Sequence, residues 1–159
     1  MALDLASFDA RLRTLEDIEE IRRLRMKYHL YMNEQQFHRI VEVFTEDAVV
    51  DFGELSRARG ADEIRDLFKR IPRHLSMVKQ FIHNHIVDVT GDTATGISFL
   101  DARYAQAGES VMVAAKFDED YVRTQAGWRV KEMRLGLYFS VPISVGWAGQ
   151  DVNFVKPFT

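Results

Sequence analysis

From Ser76 onward the chain is written in four long runs separated by gaps too short for anything but hairpins. Met77 to Val89 closes at Thr90-Gly91-Asp92, and Thr93 to Tyr104 at Ala105-Gln106-Ala107-Gly108-Glu109; Val111 to Arg123 turns through Gln125-Ala126-Gly127 into Trp128 to Phe139. Apolar and polar residues alternate along much of each run, as they do on strands with one buried face. Glycine-bearing turns of this length join antiparallel neighbours, because a parallel pair needs a crossover of about a dozen residues or more. The second half is therefore predicted to be an antiparallel meander.

The first half obeys a different period, so the fold class is α+β. Residues 5–13 are expected to form a short leading helix. Thr14 with Asp17 three residues on reads as a variant capping box starting the main helix near Leu15. A second helix is expected through Phe37, Ile40, Val41 and Phe44, and a third after Gly60 carrying Ile64, Leu67 and Phe68, stopping near Pro72. Between them Ala48 to Gly53 reads as a short strand. Three helices followed by a curved sheet form a half-cone, with the helices closing one side and a pocket left between.

The main helix says most about that pocket. Ile21, Leu24, Tyr28 and Tyr31 share one helical face, which begins aliphatic and ends in two phenols followed by Asn33. A buried phenol needs a hydrogen-bond partner, so the stripe reads as a cavity wall that turns polar at one end. The alternative is two half-buried tyrosines with hydroxyls in water. Arg22, Arg23 and Arg25 with Glu16, Glu19 and Glu20 read as a solvated face of ion pairs, and His29, His38 and His74 as surface residues.

Composition narrows the function. With 159 residues, 47% hydrophobic and 28% charged, the chain is expected to be a single domain spanning 1–159. A net charge of −3 gives no reason to expect nucleic acid. The absence of cysteine removes disulfides, thiolate metal sites and a thiol nucleophile. No apolar run reaches the roughly 20 residues that cross a bilayer, and the first residues lack a signal-peptide pattern, so a cytoplasmic protein without membrane partners is expected. The tail, residues 140–159, holds Pro142, Trp147, Phe154 and Phe158 and is expected to pack on the sheet or on a neighbouring subunit.

Particular residues carry a resemblance. Leu15-Glu16-Asp17-Ile18-Glu19-Glu20-Ile21, Lys27-Tyr28, Phe44 to Phe52, Gly60 to Arg65 and His83 to Ala94 follow one another as they do in the SnoaL-like branch of the nuclear transport factor 2-like superfamily, which includes scytalone dehydratase and the bile acid 7α-dehydratases. The chain resembles that branch over residues 14–139. The resemblance implies a cone-shaped fold of three helices on a strongly curved antiparallel sheet enclosing a pocket. It also implies chemistry without metal or organic cofactor, and a homodimer or homotrimer. Relatives combine a Tyr on the first helix, an Asp five residues later, and a His four residues before the Asn of the first long strand. Here those positions are Tyr28, Asn33 and Gln80, with Asn84 as the strand residue. Asn33 can orient or donate but cannot titrate, so the usual Asp–His pair is missing. A shifted alignment would put His83 in the histidine's place.

On an ideal strand Lys79, Phe81, His83 and His85 share one face, and Gln80, Ile82, Asn84 and Ile86 the other. The resemblance favours the Gln80 set for the pocket, chemistry favours Lys79 and His83, and a bulge would admit members of both. His83 and His85 are spaced to share a metal, but no third ligand is evident and none is expected. The candidate catalytic residues are Tyr28, Asn33, Lys79 and His83. Tyr31, Phe52, Phe68, Gln80, Phe99, Tyr104, Met112 and Tyr138 are the candidate substrate contacts. Taken with these residues, the resemblance implies a cofactor-independent lyase on a hydroxylated aromatic or polycyclic molecule. The reaction would be dehydration, or retro-aldol deformylation of the kind catalysed by lignin-derived diarylpropane lyases. A noncatalytic binding protein, and a polyketide or steroid cyclase or isomerase, are the alternatives.

Overall fold

The computed structural model describes residues 4–148. Helix α1 runs Leu5–Asn33 without a break. The boundary expected at Thr14 is absent, because the Thr14 hydroxyl donates back to the Ala10 carbonyl (3.0 Å) and stays inside the helix. Asp4 caps the start instead, its carboxylate accepting from the Ala6 amide. The early turns leave Leu5, Phe8, Leu12 and Leu15 exposed, and burial begins at Ile21.

The second helix is a 3₁₀ helix, Phe37–Val43, with Phe37, Ile40 and Val43 buried. Three residues per turn aligns those positions, so Val41 falls off the buried face and Phe44 opens strand β1, Phe44–Asp51. Strand β2, Arg57–Arg59, was not visible in the sequence, since three residues carry no periodicity. Helix α2 spans Gly60–His74 and runs past Pro72, burying Ile64, Leu67, Phe68 and Ile71.

Strands β3 (Met77–Thr90), β4 (Thr93–Gln106), β5 (Glu109–Thr124) and β6 (Gly127–Pro142) form the expected meander. The sheet order is β2-β1-β6-β5-β4-β3. β1 runs parallel to β6, which makes the sheet mixed rather than wholly antiparallel. Only the short turns enforced antiparallel pairing; β1 reaches β6 through the rest of the chain and escapes that constraint. The sheet is curved and open, with register shifts at His83/Ile86, Ala114/Ala115 and Asp120/Tyr121. At the first of these Asn84 adopts a φ of 51°. In the tail Trp147 stacks on Phe139, with centroids 5.6 Å apart. Phe154 and Phe158 lie outside the described residues.

Candidate functional site

A cavity of about 80 Å3 lies between the sheet's inner face, α1 and α2. The period of two selects its wall: Leu100, Ala102 and Tyr104 come from β4, and Val113 and Phe117 from β5. Phe52, Phe68 and Met32 close it from the β1 end and the helices. The space holds a few waters but falls well below the roughly 300 Å3 of an ordinary ligand pocket, so a ring-sized ligand requires the side chains to part.

Few polar groups face it. Tyr28 is 1% exposed, and its hydroxyl makes no hydrogen bond among the described residues. Burial raises its pKa first, with Glu119 adding to the rise and Arg25 opposing it, so the phenol is a neutral donor at physiological pH. Tyr104 Oη and Ser140 Oγ are 2.9 Å apart, and burial also raises Tyr104. The side-chain oxygen of Gln80 lies 2.9 Å from His29 Nδ1. An amide oxygen can only accept, so Nδ1 carries the proton and Nε2 the lone pair. That Nε2 is buried and has no partner among the described residues. Burial, then the Arg25 charge, hold His29 well below its ordinary pKa, so it is neutral.

A second cluster sits behind this wall. Arg25 Nη1 approaches Glu119 Oε1 at 3.0 Å, with both side chains 1% exposed or less. The contact lacks hydrogen-bond alignment, and Glu119 Oε1 stays formally unpaired. Tyr121 donates to Glu119 Oε2 at 2.8 Å and lies 3.3 Å from His85 Nε2. The Arg25 guanidinium also rests over the Phe117 ring, 4.1 Å from its centroid. Burial raises Glu119 more than Arg25 lowers it. His85 is pushed down to about 4, by burial first and then by Arg25 and Arg22.

The structure separates the residues that the sequence grouped. Tyr28, Gln80, Phe52, Phe68 and Tyr104 line the cavity. Asn33 does not. Its amide donates to the Gln80 carbonyl (2.8 Å) and accepts from the Gln80 amide (2.7 Å). β3 is a sheet edge, so the outer backbone groups of Gln80 lack a strand partner and Asn33 supplies one. Lys79 is exposed, with its ammonium on the Asn33 carbonyl. His83 is also exposed, on the outer side of the β3 bulge. Tyr31 is buried away from the cavity, donating to Glu42 at 2.8 Å beneath Arg39. Phe99, Met112 and Tyr138 fall on the sheet's other face, where Phe99 and Tyr138 stack 6.5 Å apart, because they are out of phase with Leu100, Val113 and Leu137.

Arg25 and His29, read from the sequence as solvated, are 1% and 6% exposed. The signal was there: Arg25 lies four residues after Ile21, and His29 four after Arg25, on the buried side of the helix. Glu119 was readable from β5, where Val111, Val113, Ala115 and Phe117 set the inward phase that Glu119 and Tyr121 continue. Among the described residues no group of three or more His, Asp or Glu side chains is placed to hold a metal ion. No helix among the described residues is long and apolar enough to cross a membrane.

A curved mixed sheet closed by three helices, with a small apolar cavity under the first of them, defines the cone-fold class. The chain belongs to the SnoaL-like domain family, whose pattern matches residues 13–134. It is 28% identical to the uncharacterised protein Rv2910c of Mycobacterium tuberculosis over 120 residues, covering 73% of this chain and 82% of that one. Among solved structures it is similar to an NTF2-like protein with a cystatin-like fold from Novosphingobium aromaticivorans. That likeness has 26% identity and a TM-score of 0.75 over 87% of this chain and 92% of the other. It also shares its fold with a hexachlorocyclohexane dehydrochlorinase, LinA type 2, at 18% identity and a TM-score of 0.74, over 92% and 96% of the chains.

Proposed function

We propose that the chain is a cofactor-independent lyase that works in the cone cavity on a small apolar molecule bearing a hydroxyl or carbonyl group, with an aromatic substrate favoured by the ring-lined walls. The observation that carries this reading is Tyr28: a neutral phenol, buried against the cavity, with its hydroxyl uncommitted. Such a group can donate to a departing or polarised oxygen without first breaking a bond of its own. Gln80, held by His29, also lines the cavity, and in this reading its amide N–H is the second donor. The dehydrochlorinase of the same fold performs an elimination, the same broad class of reaction. In loss of water Tyr28 gives its proton to the departing hydroxyl and its phenolate takes the proton from the adjacent carbon. In retro-aldol loss of formaldehyde the substrate hydroxyl's proton passes to water as the carbon–carbon bond breaks, and the two donors hold the enolate oxygen.

A second reading is a binding protein. It draws on Asn33, whose amide is spent on the Gln80 backbone, so the cavity has no carboxylate–imidazole pair. Incubation with hydroxylated aromatics, followed by chromatography and a formaldehyde assay, separates the two. The lyase reading expects product that disappears in Tyr28→Phe. Tight binding of these compounds with no product over many hours, in wild type and variant alike, supports the binding protein.

The exposed stripe of Leu5, Phe8, Leu12 and Leu15 supports assembly with a second copy. Light scattering showing a monomer at micromolar concentration would remove that part of the proposal.

A further inference from the structure

Outside the cavity, the last turns of α1 and the strand β3 enclose a groove of about 730 Å3. Arg25 forms part of its wall. The residue is 1% exposed, and its Nε and Nη2 have no hydrogen-bond partner among the described residues. Glu119 engages only Nη1. Nε and Nη2 lie along one edge of the planar guanidinium, the edge that holds a carboxylate through two parallel N–H···O bonds. Buried donors of a permanent cation left without an acceptor are costly, so this edge is built for an occupant.

The rest of the groove narrows the occupant's chemistry. Arg22 reaches over the groove to the His85 carbonyl, 3.3 Å away, and adds a second positive charge. The nearby carboxylate on α1, Glu19, is taken by Arg23 at 2.9 Å. Three large apolar side chains flank the opening: Met26, Leu30 and Phe81, 58%, 54% and 48% exposed. One anionic group with an apolar body matches that pattern.

We propose that this groove binds a small aryl or alkyl monocarboxylate, its carboxylate on the Nε–Nη2 edge of Arg25 and its body against Met26, Leu30 and Phe81. The edge has no contact with solvent in this structure, so the carboxylate reaches it only as the side chains around it move apart. The groove shares Gln80 with the cavity wall but takes its ligand on Arg25, and the proposal does not rest on the lyase reading.

The test is a titration of ¹⁵N-labelled protein with benzoate, following the Nε–H resonance of Arg25. A saturable shift is expected, at least about tenfold weaker when benzamide replaces benzoate, because the amide keeps the ring and lacks the charge. Leu30→Trp, a change at an exposed position that fills the groove, abolishes the shift. No response to benzoate overturns the proposal, and so does an equal response to benzamide. An equal response to inorganic sulfate shows an adventitious anion site only, and unchanged binding in Leu30→Trp places the ligand elsewhere; either result sinks it. Arg25→Lys, where it folds, weakens the benzoate-induced shifts of the Met26 and Leu30 backbone amides, because an ammonium lacks the two-donor edge. Where it does not fold, the wild-type resonance decides.

Discussion

Tyr28 and Arg25 stand one turn apart on α1, each 1% exposed, and they show two ways of burying a polar group. Tyr28 is neutral and faces the cavity with an uncommitted hydroxyl. Arg25 cannot lose its charge, so it brings Glu119, Tyr121 and His85 inside with it. The difference separates stability from chemistry. A phenol can go without its hydrogen bond at modest cost, whereas a buried guanidinium needs a counter-charge and ties up the residues that supply it.

The sharpest break of that contrast is Arg25→Met, which strands Glu119 in the core. It should destabilise the protein by about 3–5 kcal/mol in urea denaturation, while Arg25→Met combined with Glu119→Leu recovers most of the loss. A single-variant cost below about 1 kcal/mol would mean that the pair is not holding the interior.

At the other pole, Tyr28→Phe should cost less than about 1 kcal/mol of stability, since no hydrogen bond is lost. On the proposed reading it lowers turnover by on the order of 10²-fold. Equal turnover in the two proteins removes Tyr28 from the chemistry.

The charged side should also show itself in pH dependence. His29 and His85 are both depressed when folded, by burial first and then by neighbouring arginines. The unfolded chain therefore binds protons from about 6.5 downward while the folded chain refuses them. Stability is complete above that pH and falls as the pH drops toward about 4, where His85 itself takes its proton. The slope should reach at most about 1.4 kcal/mol per pH unit for each histidine, and His85→Asn should flatten it. A stability curve level from pH 7 to 5 would contradict the buried, neutral state of both rings.

Asn33→Ala removes two hydrogen bonds to an edge strand and should cost about 1–2 kcal/mol. Asn33→Asp should do no better, because a carboxylate cannot donate to the Gln80 carbonyl it faces. If Asn33→Asp instead matched wild-type stability, the clamp would not be what joins α1 to β3. Smallest of all, Tyr138→Ala on the exposed outer face should stay within about 0.5 kcal/mol and leave turnover unchanged.

Much of the fold was legible because its determinants are local. The turns at Gly91, Gly108 and Gly127 fix antiparallel pairing wherever the rest of the chain goes, and each has a positive φ. The 3₁₀ helix was misread as α-helical because Phe37, Ile40, Val41 and Phe44 satisfy a period of 3.6 about as well as Phe37, Ile40 and Val43 satisfy a period of 3. For the site, Tyr28, Phe52, Phe68, Gln80 and Tyr104 line the cavity. Phe99, Met112 and Tyr138 missed it by one residue of strand phase, an error that moves a side chain to the opposite face of the sheet.

The sequence by itself determined the four hairpinned strands, the amphipathic face of α1 and the family to which the chain belongs, since each is set by neighbours within a few residues. Only the tertiary structure decided that β1 lies parallel to β6, that Asn33 is spent on the backbone of Gln80, and that Arg25 and Glu119 meet in the core. Those contacts join residues 47 and more positions apart. Their energy comes from desolvation and from a partner's exact placement, and neither is encoded in a residue's own surroundings along the chain.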